Sequence, residues 1–504
     1  MSAKNTQYVV MPSTGLIASE ADVKQVQLFE ALQHTATSQS RMHQIASHAG
    51  AVPVKVLDSI GARKAKLIEC SSDDLPALRA SNPSVRILPV VYFRSAVARY
   101  GVVTAAPAGA KGATVRALAR SATIAITVVS AATNAPVAKA TVVAFTDFAN
   151  RVGAQGTTNA RGQVKLAFRG AVGRIERVYI YPSKSYWPGL QANVALKSGA
   201  TLKLQAIDLA YVDCVRHFYP GNDLKYGHGV TVGVIDSGVD LHHAGLVVKG
   251  GQNTVPGEPP TSFGDNGTEG HGTHVAGIIA ARGTPPTGVR GVAPGVTLRS
   301  YRVFAQGGDQ ASNYAIAKAI DAGISDHCDL LNMSLGGGDP DPLTAEALTA
   351  ARNAGVVVLA ATGNDSRQPV SFPAANGMCQ AVSAMGRKGT VPRGTEPTGS
   401  VAAPYGTDKK NFIADFSNVG PQTDLTGPGV GVISTVPSGF GVMSGTSMAT
   451  PAETGAAARL LATKADILGM ARDQARAAAM IAAIAADARR LGFGAKFEGN
   501  GMIS

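Results

Sequence analysis

The sequence predicts an α/β domain, built as a mostly parallel sheet with helices on both faces, preceded by an α+β ferredoxin-like unit and a small β-sandwich. Three observations carry this. From about residue 208 onward, short β-branched apolar runs alternate with helical stretches, the pattern of a buried parallel sheet. Residues 5 to about 100 read in the order β-α-β-β-α-β. Residues 122–207 carry repeated short strands broken by Gly-containing turns.

In the first unit, residues 5–100, Tyr8–Met11 reads as a strand and Asp22 to about Ala46 as a helix. Val52–Leu57 and Ala65–Cys70 read as strands. Ser71–Asp74 supplies an N-cap and acidic first turn for a helix through Leu75–Leu78, and Val85–Phe93 is the final strand. Residues 101–121, rich in Ala and Gly with scattered Lys111, Arg116 and Arg120, form a linker and a plausible proteolysis site. The sandwich strands are Thr123–Val129, Ala140–Phe145, the stretch to Phe168, Arg177–Tyr181 and Thr201–Leu204. Trp187 lies near Tyr181 and Tyr186 in sequence; the expected arrangement is a core or rim aromatic cluster, with an exposed ligand surface as the alternative. In the unit spanning 208–504, strands are expected at Val230–Ile235, Val296–Phe304, Asp329–Ser334 and Val356–Ala361. Helices are expected after His271, over Ala311–Ala322 and over Thr344–Ala354. In such sheets functional sites gather at the C-terminal ends of strands, where Asp236, Ser334 and Asn364 fall.

Composition narrows the function. The chain has 504 residues, 45% hydrophobic and only 16% charged, which argues against disorder. Its net charge of +12 is not gathered into Lys/Arg blocks with interleaved aromatics, so no nucleic-acid partner is expected. Cys70, Cys214, Cys328 and Cys379 include no CxxC pair, so a zinc site is not expected, and their pairing stays open. No uninterrupted apolar span of membrane length is present. No signal peptide is legible, so the expectation is cytoplasmic if the start is native and secreted if a leader has been removed.

Three short motifs carry the chemistry. Asp236-Ser237-Gly238 puts a carboxylate at a strand end, and His271-Gly272-Thr273-His274 opens a small-residue helix. Gly445-Thr446-Ser447-Met448-Ala449-Thr450-Pro451 puts a Ser at a turn-to-helix junction, beside backbone N–H groups and a helix dipole. A serine nucleophile needs a base to take its proton, and the base needs a carboxylate to fix its tautomer. These motifs, in this order, resemble the signature of the subtilisin-like serine proteases (subtilases), from about residue 208 to the C-terminus. The resemblance implies Ser447 as nucleophile, His271 as general base and then acid, and Asp236 as the group that orients His271. His274 is expected to be a packed helix residue. The segment Ala361-Thr362-Gly363-Asn364 resembles the one carrying the family's oxyanion Asn, so Asn364 and the Ser447 N–H are the expected oxyanion donors. Ser334, Leu335 and Gly336 look like the substrate strand, Phe372 like a pocket wall, and Asp365 is placed either at the specificity pocket or in an exposed loop.

Several departures qualify the resemblance. Glu453 follows Pro451-Ala452 where a His is frequent, and it is expected either to use the helix dipole or to alter the pH response of the site. His243-Ala244-Gly245 replaces a frequent calcium ligand, and the loop Arg282–Gly288 lacks Asn/Asp oxygens, so no calcium is expected at the usual strong site. No metal or organic cofactor is expected in the chemistry. The first unit is similar in architecture to subtilase propeptides, implying an intramolecular chaperone and inhibitor, but the sandwich separates it from the catalytic part. The expected function is thus a serine endopeptidase acting on protein or peptide substrates. The rivals are a non-catalytic protease-like scaffold, and an α/β-hydrolase esterase, which needs Gly-x-Ser-x-Gly and the order Ser, Asp, His.

Overall fold

A computed structural model describes residues 5–32, 42–47, 50–103, 122–169, 172–268 and 270–504. The first unit comprises β1 (Asn5–Pro12), α1 (Val23–Ala31), β2 (Met42–Ser47), β3 (Gly50–Ser59), β4 (Lys66–Ser71), α2 (Leu75–Ser81) and β5 (Val85–Pro89). Its sheet has the order β2-β3-β4-β1-β5. The helix expected over Asp22–Ala46 is shorter: Asp22 caps α1 by accepting from the Gln25 N–H at 3.0 Å, and Met42–Ser47 pairs antiparallel with β3 instead. Pairing with a formed strand outweighs local helical pattern there. The strand expected over Val85–Phe93 also divides. Pro89 has no N–H for a ladder, β5 ends at it, and the chain resumes as β6 (Tyr92–Ser95) in another sheet.

Residues 104–121, most of the expected linker, lie outside the described residues. Next come β7 (Ala122–Ser130), β8 (Thr141–Asp147), β9 (Val152–Thr157), β10 (Gln163–Phe168), β11 (Ile175–Tyr181), β12 (Gly189–Val194) and β13 (Thr201–Leu204). They make two sheets, β10-β7-β13 and β12-β11-β8-β9. Strand alternation turns Val142, Ala144, Val178 and Ile180 into the core between them. The aromatic cluster expected around Trp187 is split: Trp187 is buried against Tyr211 in the core of the C-terminal unit, whereas Tyr186 borders the sandwich core.

The C-terminal unit contains α3 (Cys214–Phe218), β14 (Thr231–Asp236), β15 (Val248–Asn253), α4 (His271–Ala280), β16 (Thr297–Arg302), β17 (Ala311–Ser312), α5 (Asn313–Ser325), β18 (Leu330–Met333) and β19 (Leu335–Gly336). It continues with α6 (Pro342–Asn353), β20 (Val357–Ala361), β21 (Cys379–Arg387), β22 (Asn411–Ile413), β23 (Thr423–Pro428), β24 (Val432–Val436) and β25 (Gly439–Met443). It ends with α7 (Thr446–Leu461), α8 (Ala465–Leu468), α9 (Gln474–Asp487) and α10 (Ala495–Glu498). The main sheet has the order β15-β16-β14-β18-β20-β21-β22, with β23 also on β21. Every neighbouring pair is parallel except β21–β22. Alternate strand residues face two cores: Val232, Val234 and Leu359 meet α4 and α7, while Ile235, Leu331 and Val358 meet α5 and α6. Ser312 and Asp341 cap α5 and α6 by accepting from Ala315 and Thr344 N–H groups.

The first unit lies on α5 and α6. Val9, Met11, Leu67 and Phe93 join the core on that face. Ion pairs Lys64–Asp321 at 2.5 Å, Lys318–Asp58 at 2.6 Å and Arg86–Glu346 at 3.1 Å rim the junction. Cys70, Cys214, Cys328 and Cys379 are buried free thiols. Among the described residues no helix is long and apolar enough to cross a membrane.

Glu453 serves a structural role inside α7. Its Oε1 lies 2.8 Å from the Tyr219 hydroxyl, which donates to the Ile503 carbonyl at 3.0 Å, and its Oε2 accepts from the Ile503 N–H at 3.0 Å. Burial pushes the carboxyl up to about 8. The Tyr219 hydroxyl has one proton for two acceptors, Glu453 Oε1 and the Ile503 carbonyl, and a proton on the carboxyl frees it for the carbonyl. The residue is remote from the helix N-terminus and ties the C-terminal segment to α7. The folded state therefore holds a proton that the unfolded state releases near its ordinary value of 4.5. That contribution is complete below the unfolded value and is lost as pH rises through about 8. Glu453→Gln, which keeps the same donor and acceptor pattern, is expected to remove this loss. In thermal unfolding from pH 5 to pH 9, the wild-type Tm should fall relative to the Gln variant, and Glu453→Ala should cost about 2–4 kcal/mol at pH 5.

Candidate active site

Asp236 ends β14 and His271 opens α4, so two element ends bring them together across the sheet. His271 Nδ1 donates to Asp236 Oδ1 at 2.8 Å, and both residues are buried. Asp236 Oδ1 also accepts from the Ser237 N–H at 2.7 Å, and Ser237 Oγ accepts from the Gly272 N–H at 2.9 Å. These bonds fix the two motifs to each other and leave His271 Nε2 buried, without a partner among the described residues. His274, one turn on, is held neutral: burial pushes its imidazole down to about 3, and its Nε2 bonds the Val432 carbonyl at 3.1 Å.

Ser447 sits in the first turn of α7. Its Oγ donates to the Ser334 carbonyl at 2.9 Å, and Ser334 Oγ donates to the Ser447 carbonyl at 3.0 Å. Asn364 follows β20. Its Oδ1 accepts from both the backbone N–H and the Oγ1 of Thr446, at 2.9 and 3.1 Å. With the oxygen engaged twice, Nδ2 is the other end, and it is buried without a partner among the described residues. Thr446 is a residue that sequence reading passed over; its place immediately before Ser447 was the available signal. Asp365 pairs with Asn418 through Nδ2 at 2.8 Å and lies exposed.

A strand from the chain itself fills the cleft. β6 pairs antiparallel with β17 on one side and β19 on the other: Phe93 faces Ala311, and Arg94 and Ser95 face Gly336 and Leu335. The Ala96 N–H donates to the Ser334 carbonyl at 3.0 Å, and the Ala96 carbonyl accepts from the Ser447 N–H at 3.1 Å. Beyond it, the Ala98 N–H donates to the Ser444 carbonyl at 2.9 Å. Phe93 is fully buried, its ring 6.0 Å from that of Phe372. Glycine permits this approach at two positions. A Cβ on Gly445, whose φ is +153°, would stand 2.6 Å from the Ala96 carbonyl oxygen, and one on Gly338 would stand 2.5 Å from the Phe93 ring.

His243 and Gly245 line a cavity with Gly283 and Gly288. Its one carboxylate, Asp240, already accepts from the His242 N–H at 2.9 Å and the Ser438 N–H at 3.3 Å. A hard cation wants six to eight oxygens, and among the described residues that line this cavity Asp240 is the one carboxylate.

The fold and these motif positions define a subtilase. The subtilase family model matches residues 227–495, and the chain belongs to that family. It is a serine-type endopeptidase. It is 38% identical over 233 residues to subtilisin BL of Lederbergia lenta, covering 46% of this chain and 76% of that protein. It is 38% identical over 240 residues to subtilisin E of Bacillus subtilis (strain 168), covering 47% of this chain and 56% of that protein. It is 39% identical over 233 residues to alkaline elastase YaB of Bacillus sp. (strain YaB), covering 46% and 54%.

The fit of Phe93 against Gly338 gives a measurable coupling. Gly338→Ala forces the ring and the Cβ apart and is expected to destabilise the folded chain by about 1–3 kcal/mol in chemical denaturation. In a Phe93→Ala background the same substitution should cost close to nothing, since the clash partner is gone.

Proposed function

We propose that Asp236, His271 and Ser447 act as a catalytic triad in an endopeptidase, and that the first bond this chain presents to them is its own Ala96–Val97 peptide. The observation that carries this reading is the Ala96 carbonyl, held by the Ser447 N–H at 3.1 Å within an antiparallel strand. That is the position a carbonyl under attack by Ser447 must occupy, with an oxyanion donor already in place.

The steps follow from the groups present. Rotation of the Ser447 side chain takes Oγ from the Ser334 carbonyl towards His271 Nε2. Nε2 accepts the hydroxyl proton as Oγ bonds the Ala96 carbonyl carbon. The tetrahedral oxyanion is held by the Ser447 N–H and Asn364 Nδ2. Asp236 keeps the proton on Nδ1 and stabilises the imidazolium. Collapse breaks the Ala96–Val97 bond as His271 protonates the leaving amine. Water, deprotonated by His271, then releases the acyl group. These groups supply every proton transfer, so no metal or organic cofactor is needed for the steps. Ser334, Leu335 and Gly336 hold the substrate backbone as an added strand, and Phe372 walls the pocket for the fourth residue before the bond.

In this reading residues 1–96 are both first substrate and, after cleavage, a product inhibitor still docked on α5 and α6. The cut falls upstream of the Ala/Gly-rich stretch 101–121. Intact mass of purified protein beside Ser447→Ala tests it. Expected are fragments 1–96 and 97–504 from the wild type, an uncut variant, and labelling of Ser447 by a fluorophosphonate. A cut elsewhere would overturn the assigned bond; a folded wild type that neither cuts nor labels would favour the scaffold reading. Asp236→Asn should fold and cut about 10⁴-fold more slowly, because the imidazole loses its fixed tautomer.

A further inference from the structure

The outer face of the sheet β12-β11-β8-β9 is unlike a solvated sandwich face. A sheet with one side in water ordinarily alternates apolar-in and polar-out. Here Val142, Ala144, Val178 and Ile180 point into the sandwich, yet their outward neighbours Val143, Phe145, Tyr179 and Tyr181 form a second apolar cluster. An apolar patch on an outer face marks something that covers it, and the structure supplies the cover. The chain that leaves the cleft after Ala98 crosses this face. Tyr100 lays its ring 5.0 Å from that of Tyr179 and 5.1 Å from that of Phe148, and the Arg151 guanidinium lies 4.5 Å from its centre. The backbone is held as well. The Tyr100 N–H donates to the Tyr181 hydroxyl at 3.2 Å, and the Val102 N–H donates to Gln155 Oε1 at 3.1 Å.

The face is fixed relative to Ser447. Trp187, at the base of the sandwich, is buried in the C-terminal core, and the Ser185 N–H donates to the Phe440 carbonyl at 2.8 Å in β25, the strand just before α7. Tyr100 is the fourth residue past the Ala96–Val97 bond. We propose that the inserted sandwich is a substrate-binding extension of the protease, whose outer aromatic face selects an aromatic side chain four residues C-terminal to the cut bond. Tyr100 occupies it before cleavage and, still tethered afterwards, competes for it with protein substrates that carry Tyr or Phe at that position. A ring there gains edge and face contacts with Phe148 and Tyr179 and the Arg151 cation; a small side chain leaves that surface wet. This inference rests on the assignment of Ala96–Val97 to Ser447, and the test separates the two.

Three peptides suffice: one with residues 93–102, one with Ala in place of its Tyr, and one ending two residues past the bond. The enzyme is the processed Tyr100→Ala protein after residues 1–96 have been dissociated from its cleft, and its tethered segment has no ring to fill the face. Expected is at least a tenfold higher kcat/KM for the Tyr peptide than for the Ala peptide, mostly through KM. Phe148→Ala in the enzyme should erase the difference and leave the short peptide unchanged. In the uncut chain, Tyr100→Ala should slow self-cleavage and Tyr100→Phe should not. Equal kcat/KM for the two long peptides, with the short one still hydrolysed, overturns the sandwich site alone. A folded wild-type chain that does not cut itself, or an enzyme freed of residues 1–96 that does not hydrolyse the short peptide, overturns the triad reading and this one with it.

Discussion

Everything near the site depends on one antiparallel pairing, that of β6 with the Leu335–Gly336 edge. It positions the Ala96 N–H and carbonyl between Ser334 and Ser447, places Phe93 against Phe372, and sends the following residues towards the sandwich. Without it, the described residues of the first unit and the C-terminal unit would share the α5–α6 junction alone, with Val9, Met11 and Leu67 in its core and partly exposed ion pairs, individually weak, at its rim. Main-chain pairing is indifferent to side-chain identity, so the same edge that holds residues 94 and 95 suits other extended peptides.

The pairing also explains why a β-sandwich can stand between the first unit and the protease without separating them. The chain passes through the cleft first and reaches the sandwich afterwards. The sandwich is thereby brought beside the far side of the cleft, anchored by Trp187.

Much of this was legible beforehand. The strand ending at Asp236, the helix opening at His271 and the junction at Ser447 were readable because each combines a periodic apolar run with a polar residue at its end. The β-α alternation of the C-terminal unit was readable for the same reason. Non-local pairing was not. Met42–Ser47 became a strand because β3 was there to receive it, and Val85–Phe93 divided because Pro89 cannot donate. The role of Ala96 was hidden because small residues carry no motif; only the cleft around them gives them meaning. Trp187, Tyr186 and Tyr181 are neighbours in sequence, but the chain turns them to three different surroundings. Glu453 was visible as an oddity, yet its partner Ile503 lies at the far end of the chain.

The most direct measurement is the order of the cleavage reaction. Freshly refolded protein, diluted over a hundredfold range, is followed for appearance of the 97–504 chain. A chain that threads its own Ala96–Val97 bond past Ser447 should cut with a half-time independent of concentration. A half-time that lengthens in proportion to dilution would show that one molecule cuts another, and would contradict the strand seen in the cleft as the first substrate.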